Sequence, residues 1–319
     1  MNNPLVTIIV PVYNRADTLP RLFDSLKAQT YRPLEVILVD NFSTDNSYDV
    51  CLELAEQSGA EDFIVRVAQE KQQGAAAARN CGLDLAQGDW VSFFDSDDEM
   101  SPDFISSMLA VWDTYPDADF VATRSRMVFE DGTERIRGGL EGLSLHSHIL
   151  SAALSTQSFV AQTEFMRYIN GWNAEVLYWN DYELGIRMLQ HCQSFVTLKR
   201  AFHRIYQHAD SITGSSLSAS FPKMQEALPL IENQVLRPMS GVSTRKSERA
   251  LFFRYCILSG KLAAEKNAPA AKWLKERAWR VNTICNFGTL TLLLGFLLRI
   301  YTKQGGRAAW RIAAAVLGK

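Results

Sequence analysis

Trp90-Val91-Ser92-Phe93-Phe94-Asp95-Ser96-Asp97-Asp98 is an apolar run that stops abruptly at three carboxylates. Its first half predicts a strand, Trp90 to Phe94, buried on both faces, and its second half predicts what stands at the strand's end. The same pattern runs through the preceding residues. Val6 to Val12 is a β-branched run followed by Asn14 and Asp17 and then an amphipathic segment (Leu19, Leu22, Phe23, Leu26) that ends near Gln29. Leu34 to Val39 leads into a polar loop, Asp40 to Asp45, and a helix over Ser47 to Ser58 with Gly59 as its C-cap. Phe63 to Ala68 leads through Gly74 into an Ala-rich helix that runs to Leu85 and is closed by Gly88. Apolar strands alternating with helices at this spacing predict an α/β fold with a mostly parallel central sheet flanked by helices. Ligands in such sheets bind beyond the carboxyl ends of the strands, where Asn14, Asp40 and Asp95 stand.

Outward from this core the pattern predicts a helix from Pro102 to about Tyr115 and a strand near Phe120. A hairpin should turn at Asp131-Gly132, between Met127 to Phe129 and Glu134 to Ile136. Helices are expected over Ser144 to Leu154 and Asp181 to Gln190, with short strands at Phe195 to Leu198 and Phe202 to Tyr206. From Phe221 only helical patterns occur. The expected division is an α/β domain over 1–220, whose first half ends at about residue 100, and a helical region over 221–319.

Charge marks the same division. The 319 residues carry a net charge of −2, yet Met1 to Leu236 holds 17 Lys and Arg against 32 Asp and Glu, whereas Arg237 to Lys319 holds 16 against 3. A basic tail that is also apolar points to an anionic membrane surface rather than to nucleic acid. Ile284 to Ile300, about 17 residues, falls short of the roughly 20 needed to span a bilayer. It is read as an interfacial helix making peripheral membrane contact, or alternatively as a helix packed on protein. Five scattered cysteines form neither a disulfide framework nor a zinc cluster, and no leader pattern opens the chain, so the expected setting is the cytoplasm, at the inner face of the membrane.

The chemistry is concentrated in the acidic strand end. Crowded carboxylates repel unless a cation neutralises them, and Mg²⁺ or Mn²⁺ takes one or two carboxylates together with phosphate oxygens. Asp95-Ser96-Asp97 therefore suits metal and diphosphate together, the alternative being an acidic turn ahead of the next helix. Asp40 can accept hydrogen bonds from a ribose or a base, while Asp45 caps the following helix.

Five segments in order resemble the family 2 glycosyltransferases of GT-A fold: Val6 to Asn14 (VTIIVPVYN), Leu22 to Thr30 (LFDSLKAQT), Glu35 to Asp45 (EVILVDNFSTD), Ala78 to Leu83 (ARNCGL) and Gly88 to Asp98 (GDWVSFFDSDD). The resemblance covers about the first 215 residues. It implies an inverting enzyme that moves a sugar from a nucleotide-sugar donor, a UDP-sugar above others, to a saccharide or lipid-linked saccharide in surface polysaccharide or glycolipid synthesis. It implies that Pro11, Tyr13, Asp40, Arg79 and Asn80 line the nucleotide. Asp95, with Ser96 beside it, would lie near the ribose, and Asp97 would be the direct metal ligand. Asn41 stands where the family often has a second aspartate.

Farther on, the family's Glu-Asp pair is matched by Asn180-Asp181, with Asp181 as the implied catalytic base; as a residue alone, Asp181 could instead cap its helix. His208, in Tyr206-Gln207-His208, is implied to reach the metal or diphosphate. His146 and His148 lack such a context and are expected at the surface. Trp172, Tyr178, Trp179 and Tyr182 could offer an aromatic platform to an acceptor sugar, with Trp172 or Trp179 favoured, or could be core. Two other classes fit less of this pattern. A nucleotide-sugar-binding protein without catalysis would not need Asp40, Asp95, Asp97 and Asp181 together, and a nucleotidyltransferase would want a glycine-rich basic loop where this chain has Tyr13-Asn14-Arg15-Ala16.

Overall fold

The computed structural model describes residues 3–58, 60–137, 140–207, 216–238 and 244–318. The expected C-cap Gly59 and the residue His208 lie outside them. The chain forms two compact units, one comprising Met1–Glu141, Leu154–Leu184 and His191–His208, the other Gly142–Ala153, Gly185–Gln190 and Ala209–Lys319.

The first unit opens with β1 (Val6–Val12), α1 (Leu19–Lys27), β2 (Leu34–Asp40), α2 (Ser47–Glu56), β3 (Phe63–Gln69), α3 (Ala75–Leu85) and β4 (Trp90–Phe93). These four strands run parallel in the order β3-β2-β1-β4. Because β1 has a neighbour on each edge and cover on each face, six of its seven residues are buried and no polar alternation is seen. The order reverses at β1, with β2 and β3 to one side and β4 to the other, which is where a crevice forms at the carboxyl ends. Pairing of β1 with β2 continues to Val12 and Asp40, but pairing with β4 ends at Ile9 and Phe93. Pro11 therefore lies past the β4 ladder, where its missing N–H leaves no β4 carbonyl unserved.

Gly88 does not close α3, whose C-cap is Ala86. A Cβ at Gly88 would lie 2.7 Å from the Thr7 nitrogen and 2.8 Å from the Leu5 oxygen, so glycine is needed for close passage along β1.

Next come β5 (Glu99–Met100), α4 (Phe104–Leu109), β6 (Phe120–Phe129) and β7 (Glu134–Arg137), the last two forming the expected hairpin with Gly132 at φ 76°. Helix α4 is shorter than its pattern suggested. Turns follow it, and the Trp112 indole donates 2.6 Å to the Ala118 carbonyl, which closes the segment back on itself. After α5 (Leu145–Ser151), a 3₁₀ turn (Thr156–Ser158) leads to β8 (Phe159–Gln162), α6 (Thr163–Tyr168), α7 (Asn180–His191) and β9 (Phe195–Gln207). Beyond β4 the sheet continues β8-β6-β9-β5, mixing antiparallel pairs with the parallel β6–β9 pair. The two short strands expected after residue 195 are one strand. Register shifts against β6, from Ala122 opposite Thr197 to Arg124 opposite Ala201, absorb the polar Lys199-Arg200 without ending it.

The second unit contains α5 and the helices α8 (Phe221–Leu236), α9 (Arg245–Ala264), α10 (Ala268–Cys285), α11 (Thr289–Lys303) and α12 (Ala309–Leu317). Buried residues surround α9 on every side, as expected of a helix enclosed by its neighbours. Arg254 from α9 donates 3.0 Å to the Leu150 carbonyl, placing a cation at the C-terminal end of α5. His148 is not at the surface: it is fully buried, and Gly185 leaves the room its imidazole occupies.

Candidate functional site

The three carboxylates that leave β4 divide their roles. Asp95 accepts a 2.7 Å hydrogen bond from Arg79 of α3, whose guanidinium is buried and lies 4.4 Å from the centre of the Trp172 ring. Trp172 in turn packs edge-on against Phe93, 5.2 Å away. Phe93, Trp172, Arg79 and Asp95 thus form a continuous stack that fixes the carboxylate from below. Arg79 uses one N–H group on Asp95, and its Nε and Nη1 have no hydrogen-bond partner among the described residues. Asp97 meets the Arg15 Nε at 3.5 Å, and Arg21 donates to the Asp97 backbone carbonyl. Asp98 turns inward and is buried, accepting from the Tyr206 amide at 2.8 Å and from the Gln157 side chain. Its burial, then the charges of Asp95 and Asp97, push its carboxyl well above the usual carboxylate range. Ser96 is buried, and its carbonyl accepts a 3.0 Å bond from Thr18.

The loops after β1 and β2 are laced together beside this stack. Asn14, at φ 51°, accepts from the Thr44 amide at 2.8 Å, and its own backbone amide donates to the Ser43 hydroxyl at 3.0 Å. Tyr13, next to it, is 46% exposed, whereas Asp40 is only 1% exposed and is held by the Gln69 side chain at 3.2 Å. Asp45 takes the Ser47 amide at 3.0 Å, the first helical N–H of α2, although the cap position itself is Asn46.

Asn41 is a staple that sequence reasoning did not find. Its side-chain amide donates to the Glu70 and Gln72 carbonyls at 2.9 and 2.8 Å and accepts from the Gly74 amide at 2.7 Å, setting the loop that opens α3. An aspartate there could make only the last of these bonds, so the departure from the family pattern has a structural cause. Asn80 is likewise engaged with backbone, donating to the Trp172 carbonyl and accepting from the Trp172 amide, both at 2.8 Å. Its amide is a brace between α3 and the Gly171-Trp172 turn. Trp172, 2% exposed, is core and supports Arg79, so it is no platform for a sugar.

Arg15 and Arg21 were also missed. Their only sequence signal was a position in or just after the first loop.

On the other side, Asp181 is in the first turn of α7 and accepts from the Tyr182 amide at 2.8 Å. Asn180 is the first residue of that helix. Trp179, partly exposed at φ 59°, stacks on Tyr178 at 5.2 Å and meets Tyr182 edge-on at 6.1 Å. The contacts that join Arg79, Asp95, Arg15 and Asp97 do not extend to Asp181 among the described residues.

No group of three or more His, Cys, Asp and Glu among the described residues could hold a metal ion. The donor chemistry nevertheless suits a hard divalent cation. Asp95 and Asp97 are both partly exposed and both already draw a positive partner, and Mg²⁺ or Mn²⁺ needs few protein carboxylates where phosphate oxygens complete its shell.

The carboxylate pair, braced by an arginine, thus stands beyond the carboxyl ends of the parallel strands beside the point where their order reverses, which is where α/β sheets of this class bind ligands. The sequence profile of Glycosyl transferase family 2 matches residues 7–169, half of the chain, and the protein belongs to that family. It is 37% identical over 103 residues to glycosyltransferase GlyA of Streptococcus pneumoniae, a match covering 32% of this chain and 14% of the relative. It is 33% identical over 129 residues to the UDP-Glc:alpha-D-GlcNAc-diphosphoundecaprenol beta-1,3-glucosyltransferase WfaP of Escherichia coli, covering 37% and 49%. The matched stretch thus spans less than half the length of either relative.

Among solved structures, the fold resembles S. aureus TarS 1-349 in complex with UDP-GlcNAc, with a TM-score of 0.65 at 17% identity over 94% of this chain and 92% of that one. It also resembles the mannosyltransferase PcManGT of Pyrobaculum calidifontis in complex with GDP-Man and Mn²⁺, with a TM-score of 0.61 at 20% identity over 99% and 87%. The fold is the GT-A α/β fold with a helical C-terminal region.

Proposed function

We propose that this chain is an inverting glycosyltransferase that moves a sugar from a nucleoside-diphosphate sugar, most simply a UDP-sugar, to a hydroxyl of a saccharide or lipid-linked saccharide. The observation that carries this reading is the Asp95 and Asp97 pair at the reversal point of the sheet, each already matched to a guanidinium. Two structural neighbours bound to a UDP-sugar and a GDP-sugar support the donor class, and the name of WfaP specifies a UDP-sugar and a diphosphoundecaprenol-linked acceptor. The first unit is the catalytic part, and the reaction belongs to surface polysaccharide or glycolipid synthesis at the inner face of a cell membrane.

In this reading Tyr13, exposed at the end of β1, stacks on the base, and Asp40 accepts a hydrogen bond from base or ribose once Gln69 yields. Arg79 holds Asp95 in place and turns its unused N–H groups toward the donor. Asp97, with Asp95, would hold a Mg²⁺ or Mn²⁺ ion, which would supply positive charge to the diphosphate leaving group. Asp181 takes the proton from the acceptor hydroxyl, since an attacking alcohol must lose its proton as it displaces the diphosphate. A single carboxylate suffices for inversion, unlike glycoside hydrolysis, which employs two. Trp179, partly exposed beside Asp181, faces the acceptor with Asn180.

The test is incubation of the purified chain with UDP-sugars and Mn²⁺, reading out released nucleoside diphosphate against pyrophosphate. Release of the diphosphate that stops with excess EDTA and in Asp97→Ala is the expected result. Pyrophosphate release would transfer the site to a nucleotidyltransferase, and no turnover with tight donor binding would make it a binding protein.

A further inference from the structure

Helix α11 is joined to its unit along one narrow stripe. Gly295, Leu298 and Thr302 are buried at helical spacing; Gly295 lies against Phe252 and Cys256, and Thr302 lies against Gly260. The rest of its apolar surface faces outward. Leu290 is 79% exposed and Phe296 56%, with Leu293 and Leu297 more than half exposed beside them. In α10, Trp279 is 63% exposed and Ile284 is exposed as well. Large apolar side chains gathered on one face exceed what a solvated helix carries and mark a surface with a partner.

The chemistry around the face says which partner. From Arg277 to Lys319 the chain has seven Lys and Arg and no Asp or Glu in 43 residues. Three of these cations, Lys303, Arg307 and Arg311, follow the face directly, and all three are exposed. A second copy docking by twofold symmetry would bring the same positive segment against itself, which is unfavourable. An anionic lipid surface offers both acyl chains for the leucines and phosphates for the cations. No helix among the described residues is long and apolar enough to cross a membrane, so a lipid surface would take α11 in its plane rather than across it.

We propose that α11 is an in-plane lipid-binding helix that sinks Leu290, Leu293, Phe296 and Leu297 into the boundary of an anionic bilayer while Lys303, Arg307 and Arg311 meet its phosphates. This deepens the reading of a lipid-linked acceptor and rests on it only for its biological purpose; the binding itself stands on the helix. It is tested by sedimentation of the full chain with vesicles of phosphatidylglycerol and phosphatidylcholine against pure phosphatidylcholine. The expected result is binding to the anionic vesicles alone, lost in Leu293→Ser/Phe296→Ser and weakened by one to two orders of magnitude in Lys303→Gln/Arg307→Gln.

All four substituted side chains are exposed, so the fold survives, which melting by circular dichroism checks. Failure of the wild-type chain to sediment, or equal sedimentation of the Ser variant, overturns the proposal. So does a concentration-dependent dimer dissolved by the Ser substitutions, which would give the face to a second copy. Nucleoside diphosphate release without vesicles is measured alongside. Its loss would count against the glycosyl-transfer reading, and its persistence without vesicle binding would count against the lipid helix alone.

Discussion

Asp181 could be read from sequence as a base or as a helix cap, and in α7 it accepts a first-turn amide without occupying the cap position itself. Asn180 is already helical and the Glu183 amide bonds to the Trp179 carbonyl at 3.0 Å, so the cap position is Trp179 and Asp181 is inside the first turn. Asp181→Asn keeps an oxygen for the Tyr182 amide and gives up one favourable charge near the helix start, worth about 0.3–1 kcal/mol. The expected outcome is a melting temperature little changed and donor affinity near wild type, with kcat lower by roughly 10²- to 10⁴-fold. A rate within about threefold of wild type, far short of the loss of a base, would remove Asp181 from the mechanism. Asn41 makes a different prediction. Asn41→Asp leaves the Glu70 and Gln72 carbonyls facing a carboxylate, so the urea midpoint should fall by the equivalent of roughly 1–3 kcal/mol; an unchanged midpoint would mean that the loop does not depend on the staple. The contrast shows what sequence carries. Asp95 and Asp97 stand out in the sequence because repulsion between neighbouring carboxylates is a local fact, whereas the contacts of Asn41, Asn80 and Trp172 are with partners 29 to 93 residues away.

Among the elements, β1 to β4 and the hairpin were legible because each is a run with its own period or turn chemistry. Strand β8 and helix α6 were not. Only four and six residues long, they lie beneath any useful window, and the antiparallel place of β8 between β4 and β6 is set by neighbours distant in sequence. The docking of α11 on α9 was equally invisible, since it relies on small residues at one crossing. Gly260 is the sharpest probe of that crossing. In an exposed helix interior Gly→Ala would stabilise by about 1 kcal/mol. Here the added Cβ would fall inside contact distance of the Thr302 hydroxyl and, more seriously, of the Arg299 backbone carbonyl, which cannot swing aside. Gly260→Ala should therefore destabilise by roughly 1–3 kcal/mol and speed amide exchange in α11. A gain in stability would show that α11 is not held against α9 as described.

At the scale of the whole molecule the charge split was fully legible, but its response to pH depends on which groups the fold buries. His203 is the clearest case. Its imidazole packs between the rings of Phe94 and Phe104, 5.1 and 4.3 Å away, and burial, opposed only by a backbone contact from Gln157, lowers its pKa from 6.5 to about 3. The unfolded chain binds a proton at this histidine below pH 6.5, while the folded chain refuses it until about pH 3. Between those limits the unfolded state holds more protons, so stability rises with pH: the contribution is complete above pH 6.5 and is lost as pH falls toward 3, by up to about 1.4 kcal/mol per unit. Many carboxylates titrate in the lower part of that range, so the histidine is isolated by difference. His203→Leu replaces an imidazole already enclosed by aromatic rings with an apolar group and removes its titration. Urea unfolding of wild type and variant at pH 7.0 and 5.0, about two units apart, should show the wild type losing roughly 1–2 kcal/mol more than the variant, since titration is only partial near pH 6.5. Equal losses in the two proteins would mean that His203 takes up its proton in the folded state as readily as in the unfolded one.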